Sequence, residues 1–440
     1  MREMKDSGIE WIGLTPSMWA NRRIKYVIKS RDSGLWGQDV KCEENGTICL
    51  RIADFDYSKG IFKDTPVDAL TYRKYPSYVV DKCHLKKGDI LIEKSGGGEK
   101  TPVGRTVLFD KPYIALFANF MDRIRVNTSI VMPQYLQYWF RAFYSCKMSP
   151  YYINQTTGIQ NINLSRLLTK EKVFYPSLKD QKAIVSFLDI KCSEIDAISA
   201  DIQKEIEILE QYKKSVIFEA VSKGNCKVTR VKSGSKIWAE IPLNWKLVDV
   251  KYIFEIVKRI AGREGYDILS VTQKGLKVKD ISDNKGQIAE NYSGYQFVFP
   301  YDYVMNHMDL VTGWVDCSDK FGVTSPDYRV FRLKNKSIHD TNYFKYVMQC
   351  CYMCRIFYSL GQGVSTLGRW RLQTSTFMNF KIPVPPYNEQ KGIAAYLDTK
   401  CKEIESAIAD KKHQLEVLSA YKKSIIYEYV TGKKEVPNYG

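Results

Sequence analysis

The chain contains one long segment twice. Residues 180–224 recur as residues 389–433 at a constant offset of 209, and about 20 of the 45 paired positions are identical. A shorter and weaker repeat precedes each copy, because residues 7–26 match residues 233–252 at an offset of 226. Repeats over such distances indicate one structural unit that is used twice. The chain therefore reads as variable block, similar segment, variable block, similar segment.

The two similar segments are predicted to be long amphipathic helices. Apolar side chains recur in each at steps of three and four residues, with charged residues between them, which is the period of one helix face. In the first copy these side chains are Ile195, Ile198, Ile202, Ile206, Leu209, Tyr212 and Val216. In the second copy they are Ile404, Ile408, Leu415, Leu418, Tyr421 and Ile425, with Lys411 as an interruption. About 40 residues in a helix make a rod of roughly 60 Å.

Two rods of similar sequence can bury their apolar faces against each other. We expect them to lie antiparallel as a coiled coil. This arrangement would place the two variable blocks at opposite ends of the rods, related by a pseudo-twofold axis. The alternative is that each helix packs in a separate core, but neither rod has another obvious apolar surface to bury it against.

The variable blocks combine short strands and short helices. Residues 88–92, 129–131 and 328–332 are β-branched or alternating and are bounded by turn residues, which predicts strands. The predicted class is α+β, with two α/β domains joined by the two long helices. The predicted boundaries are 1–178 for the first domain, 179–224 for the first helix, 225–232 for a linker, 233–385 for the second domain, 386–432 for the second helix and 433–440 for a tail.

Charge and cysteine content narrow the partner and the environment. Lys and Arg number 66 against 49 Asp and Glu, a formal net charge of +17, and 13% of the residues are aromatic. A folded, basic, aromatic-rich chain favours a polyanionic partner. The eleven cysteines are scattered and odd in number, so we expect free thiols in a reducing cytoplasm. The charged opening and the lack of a long apolar run predict a soluble intracellular protein.

No arrangement of residues in the sequence indicates a catalytic or metal site. The four histidines and the carboxylates are dispersed. Cys351 and Cys354 form a single CxxC without a second pair, so buried thiols are favoured over zinc. The glycine-rich stretch 96–106 lacks the Gly-Lys-Ser/Thr ending of a nucleotide-binding loop. Residues 384–387, Val-Pro-Pro-Tyr, have valine where adenine methyltransferases carry Asp or Asn, so they are interpreted as the end of a strand.

Basic and amide side chains in predicted loops are the candidates for nucleic-acid contacts. Asn and Gln pair bidentately with adenine, and Arg with guanine, in the major groove. A glycine loop can also approach the DNA backbone closely, although a plain surface loop is the alternative. The candidates in the first block are Lys94, Ser95, Lys100, Thr101, Arg105, Gln155 and Asn161. The candidates in the second block are Asn306, His307, Gln362, Arg369 and Arg371.

The duplicated order, together with several motifs, resembles the specificity subunit of type I restriction-modification enzymes. The chain has Asp-Ser-Gly-Ile-Glu-Trp-Ile-Gly at 6–13 and Pro-Pro-Tyr-Asn-Glu-Gln at 385–390, and Tyr-Lys-Lys-Ser stands near the end of each long repeat. Residues 305–310 and 322–328 are similar to motifs common in one class of target recognition domain. The resemblance covers essentially the whole chain.

The resemblance implies a function that depends on partner subunits. Each variable block would be a target recognition domain that reads one half of a split, asymmetric DNA site, and the helices would set the spacing between the halves. It also implies a methyltransferase partner that binds S-adenosylmethionine and methylates adenine, and a motor-nuclease partner that uses ATP and Mg²⁺. This chain would then bind none of these cofactors and would be non-catalytic by itself.

Two other classes of function remain open from the residues alone. The chain could be a self-sufficient DNA methyltransferase or nuclease, which cofactor-dependent activity of the isolated chain would reveal. It could also be a coiled-coil scaffold that binds DNA without sequence preference, which equal binding to many duplexes would reveal.

Overall fold

The computed structural model describes residues 2–40, 46–224, 228–279, 291–363 and 370–437, and gives the backbone alone for residues 155–157. The chain forms two compact units. One contains Met1–Ile202 and His413–Gly440, and the other contains Gln203–Lys412. Both long helices therefore contribute residues to both units. The domain boundaries at the helix ends remain a prediction.

The first unit is rich in short strands. Its helices are α1 (Ser77–Cys83), α2 (Pro133–Ser145), α3 (Leu164–Lys170) and the first part of α4 (Leu178–Lys223), with 3-10 turns at Ile24–Tyr26, Ile52–Asp54, Val67–Ala69 and Ser149–Tyr152. Its strands are β1 (Met4–Asp6), β2 (Leu14–Pro16), β3 (Ala20–Arg23), β4 (Ile28–Ser33), β5 (Thr47–Leu50), β6 (Phe55–Asp56), β7 (Ile61–Phe62), β8 (Tyr72–Arg73), β9 (Ile90–Glu93), β10 (Ser95–Gly96), β11 (Thr106–Leu108), β12 (Ala115–Phe117), β13 (Met121–Val126), β14 (Ile153–Thr157), β15 (Ile159–Ile162) and β16 (Lys172–Tyr175).

The second unit contains the remaining elements. Its strands are β17 (Arg230–Lys232), β18 (Glu240–Pro242), β19 (Lys246–Asp249), β20 (Phe254–Val257), β21 (Leu269–Thr272), β22 (Gly275–Val278), β23 (Gln296–Val298), β24 (Tyr303–Met305), β25 (Val315–Cys317), β26 (Gly322–Thr324), β27 (Arg329–Leu333) and β28 (Lys381–Val384). Its helices are α5 (Val250–Ile253), α6 (Thr341–Met353), α7 (Ile356–Ser359), α8 (Thr374–Met378) and the first part of α9 (Tyr387–Val430), which ends in the first unit.

The two units share a sheet plan that their divergent sequences conceal. The main sheet of the first unit has the order β4-β13-β9-β11-β7-β6, and that of the second has the order β20-β27-β24-β25. The pairs β1–β2 and β3–β16 likewise correspond to β17–β18 and β19–β28. Each main sheet has a central strand whose side chains are buried. This strand is β9 in the first unit and β24 in the second. The duplication therefore extends through the variable blocks.

The long helices pack against each block through the same hydrogen bonds. The Tyr135 hydroxyl on α2 donates to the carbonyl oxygens of Phe174 and Val430 over 2.9 and 3.0 Å. Tyr343 on α6 donates to Pro383 and Val221 over 3.1 and 3.3 Å. Each hydroxyl thus connects two elements. One is the strand that precedes a long helix, and the other is the C-terminal end of the second long helix.

A buried glutamine fixes the start of each long helix. The Gln181 side chain accepts from the Met132 N–H and donates to two backbone carbonyl oxygens. Gln390 makes the equivalent three bonds, beginning with the Asp340 N–H. Because each amide group is buried, its bonds satisfy backbone groups that water does not reach. Both copies of the duplicated segment contain this glutamine, but no pattern in the sequence predicts its hydrogen bonds.

The two long helices run antiparallel within each unit, as predicted. In the first unit, the Phe187 and Tyr429 rings are 4.5 Å apart and Asp196 pairs with Lys422 over 2.6 Å. In the second unit, Glu205 pairs with Lys411, and Lys213 pairs with Glu405, each over 2.5 Å. Residue numbers fall along one helix as they rise along the other. The ion pairs Asp196–Lys422 and Lys213–Glu405 are reciprocal. At the offset of 209, Asp196 corresponds to Glu405 and Lys213 corresponds to Lys422.

The predicted apolar face is buried only in part. Ile195, Ile202 and Ile206 are buried, whereas 49% of Ile198 and 48% of Tyr212 are exposed. A straight helix has 3.6 residues per turn. Apolar residues spaced three and four apart therefore drift gradually around the helix over several turns. The predicted linker, 225–232, lies partly outside the described residues, and its last three residues form β17.

Candidate nucleic-acid interface

In the first unit, the segment after the central strand β9 is joined to the hairpin β14–β15. Ser95 lies opposite Asn161 in the pairing of β10 with β15, and its hydroxyl donates to Asn161 Oδ1 over 2.5 Å. The Ile162 N–H donates to the Lys94 carbonyl oxygen over 2.9 Å. Gln155 lies in β14, and its side chain is outside the described part of the structure. Lys94, Ser95 and Asn161 are therefore neighbours.

The glycine-rich stretch forms a tight turn beside this hairpin. Gly97 has φ +65°, and a Cβ there would lie 2.9 Å from both the Thr101 carbonyl oxygen and the Val103 nitrogen. The N–H of Thr101 donates to the Gly98 oxygen, and the reverse bond is also present, each at 3.1 Å. Lys100 and Thr101 are exposed at the tip. The turn thus presents a cation and a hydroxyl to solvent on a backbone that only glycine allows.

Two candidate cations of the first unit neutralise buried carboxylates. Lys94 Nζ lies 3.0 Å from Asp122, whose side chain is fully buried. Arg105 donates to both oxygens of buried Glu93 over 2.8 and 2.7 Å, and its guanidinium lies 3.6 Å from the centre of the Tyr57 ring. A DNA phosphate would have to compete with these carboxylates for either cation. The DNA contacts of Lys94 and Arg105 remain predictions.

The second unit repeats the construction with different side chains. Asn306 and His307 follow the central strand β24, and the Leu372 N–H donates to the His307 carbonyl oxygen over 3.0 Å. Gln362 and Arg371 exchange two backbone hydrogen bonds of 2.9 and 3.0 Å, and both side chains are exposed. The bond from Leu372 to His307 is equivalent to the bond from Ile162 to Lys94 in the first unit. Arg369 lies outside the described residues.

The electrostatics around His307 keep its ring neutral. Burial, together with the positive charges of Arg329 and Arg371, lowers the pKa of His307 to about 4. Nδ1 of this ring is buried without a hydrogen-bond partner in the described part of the chain. At neutral pH the ring can therefore donate or accept a hydrogen bond but adds no charge. Asn306 is also engaged, since its Oδ1 accepts from the Met308 N–H over 3.3 Å.

Arg329 is a residue that the sequence reasoning missed. It is only 5% exposed and opens β27. Its Nη2 donates to the Leu372 carbonyl oxygen and to Thr374 Oγ1 over 3.0 and 3.2 Å, and its guanidinium lies 4.9 Å from the centre of the Phe377 ring. Burial lowers the pKa of Arg329 to about 10. Arg329 thereby holds the segment that contains Arg371 in place. The sequence feature that could have pointed to Arg329 is a charged residue within an apolar run.

Comparison with known proteins identifies the family of the chain. The family model for the type I restriction modification DNA specificity domain matches residues 16–208 and again residues 242–416. These two matches span most of the chain. The chain belongs to this family.

Individual members of the family are similar over nearly the whole length. The MjaX specificity subunit of Methanocaldococcus jannaschii is 25% identical, with 97% of this chain and 96% of that protein covered. The type I restriction enzyme MjaVIII specificity subunit of the same organism is 27% identical over 80% and 81% of the two chains. A solved chain from work on the assembly and conformational transition of the type I R-M system has a TM-score of 0.67 at 14% identity, and covers 96% of this chain and 99% of its own length.

Membership of the specificity family decides between the classes of function considered above. Because the DNA specificity domain occurs twice, this specificity subunit has two DNA-recognition domains. Neither the self-sufficient enzyme nor the non-specific scaffold finds support in the comparisons. Within the described ranges, no helix has the length and apolar character needed to span a membrane. No cluster of three potential metal ligands occurs in those ranges either.

Proposed function

We propose that each unit of this specificity subunit reads one half of a split DNA site. The observation that supports the proposal is that an antiparallel pair of segments is hydrogen-bonded to the end of the central strand in both units, with different side chains. Ser95 and Asn161 occupy this position in the first unit, and His307 and Arg371 occupy it in the second. Because these side chains differ, the two half-sites should differ, and the whole site should be asymmetric.

The long helices are proposed to fix the distance between the half-sites. Each continues for about 45 residues, and a continuous helix is stiff over that length. The two recognition domains, which we place at 1–178 and 233–385, would then engage half-sites at one separation and one helical phase. The reciprocal ion pairs of Asp196 and Lys213 indicate that each unit pairs the two helices through equivalent residues.

The chain is proposed to act as a non-catalytic subunit in the cytoplasm. Methylation of adenine would belong to a methyltransferase partner with S-adenosylmethionine, and cleavage to a motor-nuclease partner with ATP and Mg²⁺. Repeated apolar side chains on the helices are candidates for binding the methyltransferase: Ile208 and Tyr212 on α4 correspond to Val417 and Tyr421 on α9, and all four are exposed. Exposed apolar pairs one helical turn apart are typical of a docking face.

Methylation-aware sequencing tests the proposed DNA recognition. The chain would be expressed together with its methyltransferase partner in a host that lacks other adenine methylation, and modified adenines would be mapped over the genome. We expect one split, asymmetric motif. Substitution of Asn161 by Ala should relax only one half of this motif, and substitution of Arg371 by Ala only the other half. A symmetric motif, or relaxation of both halves by one substitution, would contradict the proposal.

The partner-binding face has its own test. The double variant Tyr212→Ala/Tyr421→Ala should weaken co-purification with the methyltransferase subunit. Ile198→Ala is the matched control, because Ile198 is equally exposed on α4 but corresponds to Ala407 on α9. Equal loss of co-purification in the control and the double variant would exclude a specific role for the repeated pair.

A further inference from the structure

The last turn of α6 in the second unit contains three thiols. Cys350 and Cys351 are fully buried in the core of this unit, and Cys354, which caps the helix, is exposed. The sulfur atoms of Cys350 and Cys354 are 3.9 Å apart, within hydrogen-bonding distance for sulfur. A buried thiol therefore lies directly behind an accessible one.

The surroundings of Cys354 favour its ionised form. When Cys354 is a thiolate, the Cys350 S–H donates to it, and Lys214 of α4 adds a positive charge nearby. The hydrogen bond and this charge lower the pKa of Cys354 to about 7, against the opposing effect of partial burial. The thiolate is the nucleophilic form of cysteine, so a substantial fraction of Cys354 is reactive at neutral pH.

The first unit contains an equivalent cysteine that lacks this support. Cys146 caps α2 as Cys354 caps α6. The next residue takes the left-handed conformation in both units, with φ 58° at Lys147 and φ 55° at Arg355. Ala142 of α2 stands where α6 has Cys350, and burial raises the pKa of Cys146. The duplicated fold thus contains an internal control.

We propose that Cys354, supported by Cys350, is a thiol-modification site that reacts with small-molecule disulfides. The Cys354 thiolate attacks one sulfur of the disulfide, and the disulfide bond breaks. A mixed disulfide forms on Cys354, and the departing thiolate takes a proton from water. Cys354 is oxidised while the departing half of the reagent is reduced, so no further oxidant is required. None of the candidate DNA-contact side chains takes part in this reaction.

The test measures modification of individual cysteines in the full-length chain. Oxidised glutathione would be added over a pH series, and mixed disulfides would be quantified by mass spectrometry of peptides after quenching in acid. We expect Cys354 to react at least several-fold faster than Cys146 at pH 7. The rate at Cys354 should be half-maximal near pH 7. Equal rates at the two cysteines would overturn the proposal.

Two substitutions exchange the residue behind the helix-capping cysteine between the units: Cys350→Ala in α6 and Ala142→Cys in α2. Cys350→Ala gives α6 the arrangement of α2, and should move the midpoint of the Cys354 reaction toward pH 8.5 or above, the ordinary range for cysteine. The rate at pH 7 should fall about fivefold, because a more basic thiolate is scarcer but intrinsically more nucleophilic. An unchanged midpoint would show that Cys350 does not support the site.

The reverse exchange keeps the test decisive if Cys350→Ala disturbs the core of the second unit. Ala142→Cys should lower the midpoint for Cys146 and accelerate its modification. A circular dichroism spectrum identical to that of the parent chain verifies that each variant is folded. Failure of the folded Ala142→Cys chain to activate Cys146 would also count against the proposal.

Discussion

Arg329 brings a positive charge into the core of the second unit without a carboxylate partner among the described residues. Its hydrogen bonds go instead to the segment that carries Arg371. A buried charge without a carboxylate partner is costly, and an apolar side chain of similar size removes that desolvation cost together with the bonds to Leu372 and Thr374. The position of this arginine therefore points to a role in holding the recognition segment more than in stabilising the core.

We expect Arg329→Met to separate recognition from stability. The free energy of unfolding should change by less than about 1 kcal/mol, whereas the affinity for the second half-site should fall about tenfold, or about 1.4 kcal/mol. Arg332→Met is the control, because Arg332 on the same strand is half exposed and pairs with Glu255. Fluorescence anisotropy with half-site duplexes and urea unfolding would measure both quantities. Unchanged half-site affinity in Arg329→Met would show that DNA recognition does not require Arg329 to hold the segment that contains Arg371.

His307 predicts a dependence of stability on pH. Its pKa is lowered from 6.5 to about 4 in the folded chain, so the unfolded chain binds a proton between these pH values that the folded chain does not. Stability should therefore fall as the pH decreases from about 6.5 to 4. Because the ring is partly exposed, we expect the loss to be on the order of 1 kcal/mol. His307→Asn should lose less stability than the parent between pH 7 and pH 5 in urea titrations, and parallel losses would refute this origin.

At the scale of elements, the two reciprocal ion pairs of the long helices differ in burial. Lys422 is buried and bonds both oxygens of Asp196 and the Ser58 carbonyl oxygen. Its equivalent, Lys213, pairs with a largely exposed Glu405. Removal of one partner from a buried pair leaves the other charge uncompensated, whereas an exposed pair contributes little.

Lys422→Met should therefore destabilise the first unit by about 3 kcal/mol, and Lys213→Met should cost less than about 1 kcal/mol. Guanidinium unfolding of the two variants would give both values. The comparison is matched, because the lysines occupy the same position of the duplicated helix. Similar losses in the two variants would mean that burial does not distinguish the pairs.

The elements also show what the sequence could and could not predict. The long helices were predictable because their apolar period persists over about 40 residues and occurs twice. The hairpin β14–β15 and its junction with Lys94 were not, since that pairing joins residues more than 60 apart and no local pattern specifies the partner. The sequence predicts Arg105 as a loop cation, because no local pattern specifies its ion pair with Glu93 even at a separation of twelve residues.

For the whole molecule, the net charge of +17 predicts a strong dependence of DNA binding on salt. The logarithm of the association constant should fall linearly with the logarithm of salt concentration, with a slope of about −0.9 for each phosphate contacted. Lys100→Gln should reduce the slope by about 0.9 if the exposed tip contacts a phosphate. Lys182→Gln on α4 is the control and should leave the slope unchanged. An unchanged slope for Lys100→Gln would remove the glycine-rich turn from the interface.

The bond from Tyr135 to Val430 has a consequence for biosynthesis. It joins residues 295 positions apart, and the core of the first unit also includes Ile425 and Ile426. The main core cluster of the second unit, among the described residues, lies within residues 216–401. Most of the first unit is therefore synthesised before the second. Its core cannot be completed until the last turns of α9 have been synthesised. During translation, the first unit therefore keeps an open apolar surface after the main core cluster of the second unit has been synthesised.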